Sequence, residues 1–176
     1  MILLTQVLVH YGFLKALAIP TALNDLQFWI LVLATLCIAA AGYIINDIND
    51  IDSDRINKPS QTLIPKPFSE SAAFNLYLIF NISGVGLGFL LSYQMGLTNF
   101  ATVFVLISAL LYVYANFLKR VIVVGNLVVS LAVAASIFIL ILYDMLPLLN
   151  QYKEELVTPI SVLRDYALFA LMLNFL

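Results

Sequence analysis

Residues Leu26 to Asp54 read LQFWILVLATLCIAAAGYIINDINDIDSD, and the join inside that stretch decides the fold. From Leu26 to Ile45 the chain is apolar for long enough to cross a bilayer as one helix. From Asn46 onward it turns abruptly acidic. Four of the ten acidic residues, Asp47, Asp50, Asp52 and Asp54, fall within these few positions. If the helix continues, Asp47, Asp50 and Asp54 stand at i, i+3 and i+7 and share one face, while Asp52 points elsewhere as a solvated bystander. Like charges so close repel, and no basic residue lies between them, so a cation is the natural partner. Hard oxygen ligands with room for water suit Mg²⁺, which typically joins one or two carboxylates to a substrate phosphate. The plain alternative is a solvated helix end. Against it, acids at a helix C-terminus oppose the macrodipole. Their spacing is also regular, and Arg55 and Lys58 follow at once.

Composition agrees with a membrane setting. Of the 176 residues, 63% are hydrophobic and 10% charged, and the mean hydropathy is +1.04. These values imply an integral membrane protein of the all-α type, a multi-span transmembrane helical bundle with about five complete helices and a partial sixth. The chain is read as one membrane domain over residues 1–176, with no separate soluble part. A net charge of −2 leaves no basic stripe to neutralise a phosphate backbone, so nucleic acid is excluded as a partner. The single cysteine, Cys37, sits in an apolar run and reads as an inert buried thiol. The single histidine, His10, has no histidine or cysteine at metal spacing, which favours a hard metal over zinc. No basic n-region or cleavage site marks a signal peptide, so the first apolar segment is read as a retained helix.

Along the chain the pattern predicts helix 1 over about 2–19, ended by Pro20. Helix 2 covers about 25–45 with a polar continuation to Asn57, and a loop with Pro59, Pro65 and Pro67 follows. Ser69 and Glu70 supply an N-cap-like start for helix 3, about 71–93. Gly96-Leu97-Thr98 turns the chain into helix 4, about 99–118, closed by Lys119 and Arg120. Helix 5 takes about 121–146. A polar loop from Pro147 to about Pro159 leads to a last apolar segment, 160–176. Arg55, Lys58, Lys66, Lys119 and Arg120 fall on one side of this layout and only Lys153 and Arg164 on the other, with Lys15 within the first span. That asymmetry puts the aspartate segment and Lys119-Arg120 together on the cytoplasmic face of a plasma or inner membrane.

A carboxylate cluster opposite Lys119 and Arg120 at a membrane surface is what a diphosphate needs. Carboxylates hold Mg²⁺, and Lys and Arg take the remaining phosphate charge. An apolar tail on the diphosphate can lie among the helices. The pairing suggests metal-assisted ionisation of an allylic diphosphate, with an acceptor attacking the resulting carbocation.

Two segments then resemble a known family. Asn46-Asp47-x-x-Asp50-x-x-x-Asp54 is similar to the first aspartate-rich motif of the UbiA superfamily of intramembrane prenyltransferases. The continuation Arg55-Ile56-Asn57-Lys58-Pro59 resembles the branch of geranylgeranylglycerol-phosphate geranylgeranyltransferases. Tyr114-Ala115-Asn116-Phe117-Leu118-Lys119-Arg120, followed by Gly125-Asn126, resembles the family's helix 4 end and the Gly-Asn of helix 5. The resemblance implies Mg²⁺ ligation and catalysis by Asp47, Asp50 and Asp54. It implies contact of Asn46, Lys119 and Arg120 with the diphosphate, and a pocket role for Tyr114, although Tyr112 and Tyr114 also fit an interfacial aromatic belt. It implies prenyl transfer from a prenyl diphosphate to a lipid, quinone-precursor or aromatic acceptor, in contact with membrane lipid.

The sequence also departs from the family pattern. The family has a second aspartate motif after helix 6, and the acids left over here, Asp144, Glu154, Glu155 and Asp165, lack that spacing. An arginine-containing signature before the first span is missing, and Gln61 stands where an arginine is frequent. These departures predict a truncated chain with impaired turnover. The rival class is a non-catalytic membrane protein that at most binds a lipid diphosphate. A CDP-alcohol phosphatidyltransferase needs a glycine-spaced aspartate series that is not present. For a transporter the acids sit at a helix end, where an ion path would place them mid-membrane.

Overall fold

The computed structural model describes residues 2–57, 69–118, 130–131 and 134–175, with side chains for 2–51, 69–117, 130–131 and 134–172. Every regular element among them is helical, as the hydropathy pattern predicts. Three helices are long and apolar enough to cross a membrane: Asp25–Ile51, Glu70–Gln94 and Thr98–Phe117. The chain is an integral membrane protein. Its contacts divide it into two compact units, Met1–Val32 with Ile122–Leu176, and Leu33–Val121.

In the first unit, α1 is α-helical over Ile2–Val7 and widens to π geometry over Leu8–Lys15. It stops about a turn before the expected Ile19. Ala18 takes a positive φ of 53°, and the Ile19 N–H donates back to the Leu14 carbonyl at 2.9 Å. Pro20 forces the residue before it out of helical geometry, so the chain turns before reaching it. The next helix opens with a reciprocal cap. The Gln27 N–H donates to Asn24 Oδ1 at 2.9 Å and the Asn24 N–H to Gln27 Oε1 at 3.1 Å, satisfying two donors that the first turn would leave free. From there α2 runs without a break over Asp25–Asn57, polar continuation included. No glycine or proline interrupts the segment after Gly42, so nothing ends the helix where the charge begins.

The described part of α5 is 130–131 and Ala134–Leu148. It passes into π geometry over Ile141–Met145 and a 3₁₀ turn over Leu146–Leu148. The last helix, α6, spans Lys153–Phe175 and carries Pro159 inside it. The expected loop to Pro159 is therefore shorter. Glu154 and Glu155 occupy the first turn, where acids complement the helix dipole, and the helix runs through the proline. Leu14 of α1, Ala134, Ile137, Ile141 and Met145 of α5, and Leu156, Leu163 and Ala167 of α6 form one buried apolar cluster.

In the second unit, Ser69 caps α3 (Glu70–Gln94), its hydroxyl accepting the Ala72 N–H at 3.2 Å. Gly96, at φ 68°, turns the chain back, and the Leu97 N–H closes on the Ser92 carbonyl at 2.8 Å. Only a residue without a Cβ takes that conformation at no steric cost. A 3₁₀ turn over Thr98–Phe100 leads into α4, which is α-helical over Ala101–Val113 and π-helical over Tyr114–Leu118. Close packing uses small residues. A Cβ on Gly84 would lie 3.0 Å from the Ala34 carbonyl and the Ile38 amide of α2, and one on Gly88 would overlap the Phe104 ring of α4. A polar bridge crosses the α3–α4 contact: the Ser108 hydroxyl donates to Asn81 Oδ1 at 2.9 Å and Asn81 Nδ2 donates to the Tyr77 hydroxyl at 3.1 Å.

Candidate functional site

The candidate site is built on the last four turns of α2. The helix presents an apolar face to the rest of its unit: Ala41 and Ile45 pack with Tyr77 and Ala115, while Ile51 packs with Ala73, flanked by Ile44 and Ile48. By helical period the positions of Asp47, Asp50 and Asp54 fall within about 60° of one another, away from the centre of that apolar face. Because α2 is unbroken through Asn57, the i, i+3, i+7 arrangement read from the sequence exists in the backbone.

Among the described side chains, Asp47 is exposed and Asp50 and Asn46 are half-buried. Asn46 Nδ2 donates to Asp50 Oδ2 at 3.2 Å, one turn along the helix. That bond turns the amide so that its oxygen faces away from the carboxylate, and Asn46 Oδ1 is buried without a hydrogen-bond partner. A buried acceptor left open costs about 1–3 kcal/mol unless something supplies positive charge or a donor. The neighbouring Asn49 amide is used differently, donating back to the Ile45 carbonyl at 2.9 Å.

An open amide oxygen beside a carboxylate is a pair of hard donors, and hard donors fit Mg²⁺. Among the described residues no three His, Cys, Asp or Glu side chains gather into a metal cluster. The Asp54 side chain lies outside those described, as do Lys119 and Arg120, so the complete ligand set and the basic side of the site are not part of this geometry. What is described is the approach to them. Ala115, four residues before Lys119, packs with Ile45, the residue before Asn46, which brings the end of α4 beside the start of the acidic segment. Tyr114 is half-buried in the π-helical end of α4. Tyr112, two residues earlier, is exposed and stacks on Tyr77 with centroids 6.2 Å apart.

One polar pair escaped the sequence reading. His10 and Asp144 are fully buried in the first unit and meet at 2.5 Å between Nδ1 and Oδ2. By spacing alone His10 lacks metal partners and Asp144 is one of the acids left outside the aspartate-rich motif. The available signal was cost, since a lone ionisable group inside each of two apolar helices needs a partner and each was the other's best option.

Residues 7–152 match the UbiA prenyltransferase family. The chain belongs to that family. Among similar curated proteins, the digeranylgeranylglyceryl phosphate synthase of Sulfolobus acidocaldarius is 40% identical over 111 residues, 63% of this chain and 38% of the relative. The protein of the same name from Metallosphaera sedula is 40% identical over 111 residues, 61% of this chain and 37% of the relative. That from Korarchaeum cryptofilum is 33% identical over 132 residues, 68% of this chain and 45% of the relative. The matched segment thus spans less than half the length of each. No solved structure matches the chain. The family resemblance carried by Asn46–Asp54 and Tyr114–Asn126 is established by these matches, and the relatives' name agrees with the branch that Arg55–Pro59 resembles.

Proposed function

We propose that the acidic end of α2 binds the diphosphate of a prenyl diphosphate through Mg²⁺, and that the chain serves transfer of the prenyl group to a lipid acceptor. The observation that carries this reading is the Asn46–Asp50 pair, with its open buried amide oxygen, on an aspartate-bearing helix of a UbiA family member. Asp47, Asp50 and Asp54 hold the metal. Asn46 fixes the Asp50 carboxylate and offers its own oxygen to the metal. Bound Mg²⁺ supplies neutralisation of the diphosphate charge and so makes it a better leaving group. Lys119 and Arg120 take the remaining phosphate charge, and Tyr114 lines the pocket. The isoprenoid tail lies among the apolar helices. The allylic carbon–oxygen bond breaks with its electron pair leaving on the diphosphate. An acceptor hydroxyl oxygen forms the new carbon–oxygen bond and loses its proton to solvent. The relatives' name, digeranylgeranylglyceryl phosphate synthase, favours a glyceryl phosphate lipid over an aromatic acceptor. The excess of Lys and Arg on this side of the layout supports a cytoplasmic position for this end of α2.

The test uses the purified 176-residue chain in lipid nanodiscs with radiolabelled geranylgeranyl diphosphate and a geranylgeranylglyceryl phosphate acceptor. Mg²⁺-dependent binding with label appearing in the acceptor supports the enzyme. Binding without turnover supports the second reading, a lipid-diphosphate-binding membrane protein. Absence of Mg²⁺-dependent binding refutes both.

A further inference from the structure

The buried His10–Asp144 pair in the first unit has no part in the diphosphate site. Both side chains are fully buried. Asp144 Oδ2 meets His10 Nδ1 at 2.5 Å, and Asp144 Oδ1 accepts the Leu23 N–H at 3.0 Å. The Asp144 carbonyl accepts the Ala22 N–H at 2.9 Å. The imidazole stacks on Phe28 with centroids 4.1 Å apart and rings 13° from parallel, and Tyr11 meets it edge-on. His10 Nε2 is buried with no hydrogen-bond partner. One pair therefore ties together α1, the lead-in to α2 and α5. Both partners are carried on π-helical stretches, Leu8–Lys15 and Ile141–Met145, a distortion that recurs at functional sites.

We propose that His10 and Asp144 bind one proton between them, and that this shared proton is the clasp of the first unit. Two bare lone pairs at this separation would repel, so a hydrogen lies between Nδ1 and Oδ2. Among the described residues, Lys15 interacts electrostatically with Asp144 and Asp25 with His10, and these two opposite charges meet each other at 2.5 Å on the exposed side, so together they bring no net charge to the pair. A net charge in an apolar interior is the costliest arrangement available, so the pair is neutral as a unit. With Asp144 Oδ1 turned to the Leu23 N–H and carrying no hydrogen of its own, two neutral forms remain. One is an imidazolium beside a carboxylate, and the other is an imidazole beside a carboxylic acid whose hydroxyl donates to Nδ1. Both put a hydrogen on Nε2. The form with a neutral ring donating to a carboxylate through Nδ1, and a bare Nε2, would bury a full negative charge.

His10 is the only histidine in the chain, so ring-¹⁵N-histidine labelling reports this site alone. In nanodiscs at neutral pH the Nε2 resonance is expected in the protonated range, and the proton on the Nδ1 side far downfield and slow to exchange with water. An Nε2 resonance in the unprotonated range overturns the proposal. A stability cycle reads the charge independently. His10→Phe leaves Asp144 without its partner and lowers the melting midpoint by on the order of 10 °C. Adding Asp144→Asn to that variant removes the stranded charge while keeping an oxygen for the Leu23 N–H, so the midpoint rises again. A double variant no more stable than His10→Phe alone shows that the pair acts by hydrogen bonding and packing, and the shared-proton clasp falls.

Discussion

Asn46 has one amide group and divides it between two tasks: its nitrogen holds Asp50 and its oxygen stays open in a buried place. A metal-ligating carboxylate works best when a neighbour fixes its orientation, and loss of such a partner commonly costs ten- to a hundredfold in metal affinity, roughly. Asp50→Asn and Asn46→Ala are therefore expected to raise the Mg²⁺ concentration for half-saturation of prenyl diphosphate binding by about tenfold or more. Asp52→Ala, off the i, i+3, i+7 face, is expected to leave it nearly unchanged. Titrating Mg²⁺ at fixed labelled geranylgeranyl diphosphate measures all three. Equal losses would show that bulk negative charge, and no defined ligand set, attracts the cation. The acidic face was legible in the sequence because helical period alone sets it. The Asn46 division of labour was not, since burial of one amide oxygen depends on what packs over the helix.

Helices α2, α3 and α4 meet through glycines as much as through large side chains. On α3, Gly86 and Gly88 are two residues apart, so they face different surroundings. A Cβ at Gly88 would overlap the Phe104 ring, whereas a Cβ at Gly86 has nothing within 4 Å. Gly88→Ala is expected to destabilise the α3–α4 contact by about 1–3 kcal/mol through overpacking. Gly86→Ala is expected to stabilise the helix by about 0.5–1 kcal/mol, because alanine loses less backbone freedom on folding. Thermal unfolding of both variants in detergent checks the pair. Shifts of the same sign would mean that α3 does not rest on Phe104 at this point. Element boundaries divide the same way. The Ser69 cap and the Gly96 turn could be read locally, because each is a short-range bond with a characteristic residue. The end of α1 and the passage of α6 through Pro159 could not. In the first, Ala18 accepts a strained φ so that Ala22 and Leu23 reach Asp144. In the second, a proline that usually bounds a helix lies buried within one.

For the molecule as a whole, the basic residues around the aspartate segment and at Lys119-Arg120 imply one common aqueous side. Single cysteines placed at Ser53 and at Arg120, in a Cys37→Ala background, are expected to react with an impermeant maleimide from the same face of sealed vesicles. Labelling from opposite faces would separate the carboxylates from the basic residues and end the diphosphate reading. Membrane class, the three long spans, the unbroken α2 and its acidic face followed from the sequence by itself, because hydropathy, helical period and capping act over a few residues. Tertiary structure alone decided that His10 finds Asp144 across 134 positions, that Asn46 keeps an oxygen open, and that Gly88 must lack a side chain. Each of these depends on which surface another helix brings to the residue, and no local pattern in the chain records that surface.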